Sequence, residues 1–153
     1  KNLNGNIIDF GSGAGFPGAV LSILGASKIF LIESNKKKCN FLILLKKETN
    51  SNFNIINSRI ENLEFLDPSL IVSRALTSTK NLLILSTNHM LKSRGINSKK
   101  EAIKKTPNLL FLKGKTFKNE LNEIPGNLNL KFQTFPSITS AESRILLYNK
   151  NIL

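Results

Sequence analysis

Apolar positions fall into short runs set apart by polar and glycine-rich stretches. Their spacing alternates between the period of a strand and that of a helix. Ile7 and Ile8 make a short buried strand ending at Asp9 and Phe10. Gly11, Gly13 and Gly15 follow at every second position, and Ala19, Val20, Leu21, Ile23 and Leu24 begin a helix. Lys28 to Ile32 predicts a second strand, and Asn35 to Thr49 a helix on which Cys39, Leu42, Ile43 and Leu45 share a face. Further strands are predicted at Phe53 to Asn57, Leu70 to Ser73 and Asn108 to Leu112, with a helix from Ser78 to Leu91. Ser93 to Thr106 reads as a basic surface excursion. Phe117 to Glu123 reads as a short helix, and Pro125-Gly126-Asn127 forces a turn. Leu128 to Phe135 and Ile145 to Tyr148 close the chain as a strand pair. Strands alternating with helices, then a strand pair, predict an α/β fold: a mostly parallel sheet with an antiparallel terminal strand and helices on both faces.

The 153 residues suit a single domain spanning 1–153, with a polar lead-in from Lys1 to Gly5. Composition changes the picture through charge. Lys and Arg number 22 against 10 Asp and Glu, a net charge of +12. Such an excess favours a polyanionic partner, although a solvated basic surface or the Lys/Asn bias of an AT-rich genome gives the same count. Phosphate contacts are expected from Lys36, Lys37, Lys38, Lys46, Lys47 and the 93–105 stretch. There is no Trp and only one Tyr, so no stacking platform for single strands is evident, and a folded RNA surface suits the chain better. One cysteine excludes an internal disulfide and fits a reducing, cytoplasmic location; no run reaches membrane-spanning length, and no signal-peptide pattern is seen.

The chemistry centres on the glycines. A strand running through glycines into a helix brings backbone N–H groups close to a ligand. Asp9 ends the first strand, and Glu33 ends the second about 20 residues beyond the glycines, the spacing at which an acid takes ribose hydroxyls. The loop reads Gly-x-Gly-x-Gly rather than the pyrophosphate-binding Gly-x-Gly-x-x-Gly. Carboxylates on either side suit a positively charged nucleoside, of which S-adenosylmethionine is one; the alternative is a tight turn without a ligand. Gly11, Gly13 and Glu33 are the candidates on this reading. No Cys/His metal cluster and no nucleophile–base pair is evident, so no catalytic side chain and no metal are assigned. Cys39 is expected in the core and His89 as a partly buried surface residue. Lys113 ends a strand at the ligand edge, and a phosphate contact and a solvated loop position are equally open to it.

Several of these pieces occur together in order: Asp9 to Gly18 (Asp-Phe-Gly-Ser-Gly-Ala-Gly-Phe-Pro-Gly), Ile32-Glu33-Ser34, Lys37-Lys38 with Phe41-Leu42, Ser58-Arg59-Ile60-Glu61, Ser73-Arg74-Ala75 and Leu112-Lys113-Gly114. This pattern resembles the bacterial glucose-inhibited division protein B family, the small-subunit ribosomal RNA guanine-N7 methyltransferases, across nearly the whole chain. The resemblance implies a Rossmann-like seven-stranded methyltransferase fold that uses S-adenosylmethionine to methylate guanine N7 in 16S rRNA. It implies a cofactor site at Gly11, Phe16, Ile60, Glu61 and Arg74, with Arg74 also able to orient cofactor or nucleotide. The expected partner is small-subunit rRNA or its particle, with a monomeric enzyme. The family's helical segment ahead of the first strand has no counterpart here, which leaves a fragment, a truncated product or a divergent paralogue open. The alternatives are an RNA-binding paralogue with impaired catalysis and a methyltransferase acting on a small molecule or protein.

Overall fold

A computed structural model of the chain describes residues 5–128 and 130–150. Lys1 to Asn4, most of the expected lead-in, lie outside the described residues. Seven strands form one sheet in the order β3-β2-β1-β4-β5-β7-β6: β1 Asn6–Phe10, β2 Ile29–Glu33, β3 Phe53–Asn57, β4 Pro68–Arg74, β5 Asn108–Lys113, β6 Gln133–Pro136 and β7 Arg144–Tyr148. The first five are mutually parallel, and β7 runs antiparallel between β5 and β6. Five helices connect them: α1 Gly18–Ile23, α2 Lys36–Glu48, α3 Thr79–Met90, α4 Lys99–Lys104 and α5 Phe117–Asn122.

The central strands β1, β2, β4 and β5 are largely apolar because the sheet is covered on both faces there. Successive side chains point to opposite sides, so neighbours such as Ile7 and Ile8 enter different cores. Ile7, Ile29, Leu31, Phe53 and Val72 pack with Ala19 of α1 and Leu42 of α2. On the other face Ile8, Phe10, Ile71, Phe111 and Leu146 pack with Leu82 and Leu83 of α3 and with Phe117 of α5. Cys39 is buried as expected, its Sγ donating to the Glu33 carbonyl at 3.3 Å. Strand order reverses between β1 and β4, and a ligand crevice opens outside the carboxyl ends of strands at such a switch point. Gly11 follows β1 there, and Arg74 ends β4 there.

Three expectations change. The 93–106 stretch carries α4: Ser98 Oγ accepts from the Glu101 amide at 3.2 Å, while Glu101 reaches back to the Asn97 amide at 3.2 Å. Ile96 and Ala102 bury against Met90, so the segment folds onto α3 although its lysines stay exposed. The expected strand from Leu128 shrinks to Gln133–Pro136, because a 3-10 turn runs through Leu128, whose side chain joins the core with Leu130 and Phe132. His89 is a core residue, 1% exposed. It sits against Phe10 and Phe65, and its Nε2 accepts from the Leu66 amide at 3.3 Å.

Candidate active site

The glycine loop is built on backbone geometry. The Gly11 and Ser12 amides both donate to the Ile32 carbonyl at 3.0 Å, which draws the loop onto the end of β2. Gly11 has φ +72, the left-handed region that favours glycine, and a Cβ there would lie 2.7 Å from Leu76 Cδ1 and push that side chain aside. Close packing selects Gly18 in the same way, since a Cβ would meet the Asp9 carboxylate at 2.7 Å.

Glu33 is buried and held from two sides. Its Oε2 accepts from the Gly13 amide at 3.0 Å, and its Oε1 from the Asn35 amide at 2.8 Å. Asn57 Nδ2 fixes its carbonyl at 2.9 Å. Each carboxylate oxygen carries two lone pairs, so each can still accept once from a ligand. Asn35 also caps α2, accepting from the Lys37 and Lys38 amides.

Asp9 lies deeper than its sequence position suggested. It is 0% exposed, and its Oδ2 accepts from the Gly18 amide at 2.9 Å. Oδ1 has no partner among the described residues. Burial pushes the carboxyl up to about 7, against the Gly18 hydrogen bond and the Arg74 charge, which pull it down. Asp9 therefore underpins the loop and the start of α1.

A cavity of about 750 Å³ opens at the switch point. Gly11, Gly13, Glu33, Ile60, Glu61 and Arg74, all candidates from the sequence, line it, as does Lys38. Phe16 does not line it. Its ring is 46% exposed and carries the Arg74 guanidinium 4.8 Å above its centroid, a cation–π contact that aims the fork. The Arg74 ion pair with Asp9 or Glu61 that would make it purely structural is absent among the described residues. Sequence reasoning missed Arg59 and the wall formed by Leu76, Thr77, Asn81 and Ile84. Arg59 lies inside the Ser58-Arg59-Ile60-Glu61 motif already singled out, which was its available signal.

Lys113 requires a correction. It is 7% exposed, donates to the Thr77 carbonyl at 2.7 Å and pairs with Glu120 at 2.7 Å, so it reaches neither solvent nor a phosphate. Lys36, Lys37 and Lys38 are exposed at the cavity end of α2. Lys46 and Lys47 lie at its other end, roughly 15 Å away at the helical rise. Lys46 sits 5.9 Å over the ring of Phe53, where β3 begins.

Residues 1–146 match the family described as rRNA small subunit methyltransferase G. The chain belongs to that family. It is 35% identical over 149 residues to the ribosomal RNA small subunit methyltransferase G of Rickettsia prowazekii, covering 97% of this chain and 70% of that protein. The Paramagnetospirillum magneticum protein of the same name is 32% identical over 140 residues, 92% of this chain and 62% of that one. The chain thus spans about two thirds of the curated relatives' length. Among solved structures, Synechocystis magnesium protoporphyrin IX methyltransferase with bound SAM superposes with a TM-score of 0.67 at 15% identity, over 97% of this chain and 72% of that one. A fibrillarin/Nop5p complex gives 0.62 at 14% identity, over 97% and 74%. The fold is therefore the Rossmann-like one of S-adenosylmethionine-dependent methyltransferases, as the motifs implied. Family membership makes this an S-adenosylmethionine-dependent rRNA methyltransferase lineage. Among the described residues no helix is long and apolar enough to cross a membrane, and no group of three or more His, Cys, Asp or Glu could hold a metal ion.

Proposed function

We propose that this chain binds S-adenosylmethionine in the switch-point cavity and methylates N7 of a guanine in small-subunit rRNA, in the cytoplasm. The observation that carries the reading is Glu33, locked between the Gly13 and Asn35 amides at the cavity wall with acceptor capacity to spare. The donor set fits the cofactor. Glu33 suits a ribose diol, and Ile60 and Glu61 suit the face and edge of an adenine. The close approach at Gly11 suits the methionine end. Asp9 does not line the cavity; it holds the loop from behind by accepting from the Gly18 amide.

When bound, S-adenosylmethionine supplies an electrophilic methyl group. Guanine N7 offers an in-plane lone pair and no proton, so the protein needs no general base. Its task is alignment, which can be worth several powers of ten in rate. Arg74, aimed by Phe16, supplies a planar fork for orienting cofactor or nucleotide.

The RNA-facing rim is marked by a broken local rule. Lys36, Lys37 and Lys38 occupy the first turn of α2, where the helix dipole disfavours cations, while Lys46 and Lys47 occupy the last turn, where it favours them. Cations kept where they destabilise, beside the cavity, point to phosphate binding. Lys46 and Lys47 are explained by helix stability alone.

Calorimetry with S-adenosylhomocysteine tests the cofactor site. Wild type should bind in the micromolar class, and Gly11→Val, which forces a side chain into Leu76, should lose binding. Equal affinity in both would remove the loop from the ligand site.

A further inference from the structure

The loop leaving β4 carries the cavity wall from Arg74 to Thr77, and it holds an unfavourable conformation: Ala75, a residue with a side chain, has φ +52. Such backbone persists where its surroundings over-determine it. What holds it lies behind the wall. Arg74 pairs in register with Leu112, so the next residue of β5, Lys113, ends beside the loop. Its Nζ donates to the Thr77 carbonyl at 2.7 Å and to Glu120 Oε2 at 2.7 Å.

Glu120 gathers the other side. Its Oε2 also accepts from the Thr79 amide at 2.8 Å and the Thr79 hydroxyl at 2.9 Å, and its Oε1 accepts from Thr116 Oγ1 at 2.9 Å. One carboxylate on α5 thereby caps the start of α3 from outside that helix, satisfying an amide that no intrahelical acceptor can take. Burial raises the Glu120 carboxyl, yet the bonds from Lys113, Thr79 and Thr116 leave it below its ordinary value, so it stays charged and paired.

We propose that Lys113 and Glu120 are positioning residues: the pair fixes the 75–78 loop and so holds the Arg74–Thr77 wall against which the target nucleotide is aligned. This deepens the methyltransferase reading and rests on it for its functional half. Neither side chain lines the cavity, so the pair acts through the loop rather than on ligand. A pair with Lys113 buried and Glu120 partly buried is a poor source of net stability, and breaking one partner alone strands the other charge. Geometry is the better explanation for keeping it.

The test uses Lys113→Met/Glu120→Gln, which removes both charges together. Its Gln carbonyl can still accept from the Thr79 amide, so the α3 cap survives while the link to Thr77 is removed. Backbone NMR order parameters at Leu76 and Thr77 should fall from the rigid range of about 0.85 toward the flexible range below about 0.6, with Ile71 and Val72 in β4 unchanged. Methyl transfer to small-subunit rRNA should fall about tenfold or more in kcat, with KM for RNA and the melting temperature nearly unchanged. Unchanged order parameters at Leu76 and Thr77 would overturn the proposal, and so would a loosened loop with kcat retained. Wild type is assayed in the same series. An inactive wild type would count against the methyltransferase reading, while the order parameters would still decide whether the pair fixes the loop.

Discussion

The Glu33 carboxylate accepts the Gly13 amide at 3.0 Å, tying the end of β2 to a loop 20 residues earlier in the chain. The bond orders the glycine loop and keeps an acid at the cavity wall in one step. Glu33→Gln retains one acceptor, so it satisfies either the Gly13 or the Asn35 amide and turns an NH2 toward the other. A charge-assisted bond of this kind contributes about 1.5–3 kcal/mol. S-adenosylhomocysteine affinity should fall about tenfold or more, with a melting temperature lower by several degrees. Unaltered affinity by calorimetry would show that Glu33 serves the loop only.

The lysines of α2 should separate by end. Replacing Lys36, Lys37 and Lys38 with Gln removes cations from the positive end of the helix dipole, at about 0.3–1 kcal/mol each, so the protein should melt higher. The same variant should bind small-subunit particles less tightly. Its log–log salt dependence should flatten by about 0.7–0.9 for each phosphate that is no longer neutralised. Lys46→Gln/Lys47→Gln should do the reverse: a lower melting temperature and an unchanged salt slope. Equal slopes in both variants and wild type would make the cavity-end cluster a solvated face.

Proton linkage gives a prediction on the sole histidine. Burial, with the Lys92 charge second, pulls His89 from 6.5 to about 4. Between those values the unfolded chain binds the proton and the native chain does not. The His89 contribution is therefore present above pH 6.5 and is lost as pH falls toward 4. Asp9 runs the other way. Its native value of about 7 lies above 3.8, so its contribution is present below pH 3.8 and is lost as pH rises to about 7. NMR titration should place the imidazole midpoint near 4, and the melting temperature of Asp9→Asn should gain on that of wild type as pH rises through this window. A midpoint near 6.5, or a pH-independent gap for Asp9→Asn, would contradict the burial of these groups.

What could be read from the chain was local. The Gly11 loop, Glu33 and the positions of the parallel strands depend on neighbours in sequence and on burial pattern, and these leave periodic traces. The Ser98-x-x-Glu101 cap of α4 was also present in the sequence, hidden within a run of lysines that read as solvated. Lys113 was not legible because its carbonyl partner, Thr77, lies 36 residues away, and nothing near Lys113 announces that it is buried. His89 is similar: its partner, the Leu66 amide, is 23 residues distant. Asp9 looked like a ligand group because it ends β1, but the helix start at Gly18 folds over it and takes one of its oxygens.

Arg74 gives the most direct test, through tritiated-methyl incorporation into small-subunit rRNA lacking the modification, with the product mapped to the base and ring nitrogen. Its guanidinium lies over Phe16 with no ion pair among the described residues, so Arg74→Lys keeps the charge while losing the planar fork. Wild type should methylate a single guanine at N7. Arg74→Lys should reduce incorporation by about two powers of ten, as misalignment of reacting groups does, while shifting the melting temperature by only a degree or two. Full incorporation by Arg74→Lys would make Arg74 structural. A wild-type chain that binds S-adenosylhomocysteine yet transfers no methyl to any guanine N7 would contradict the account itself.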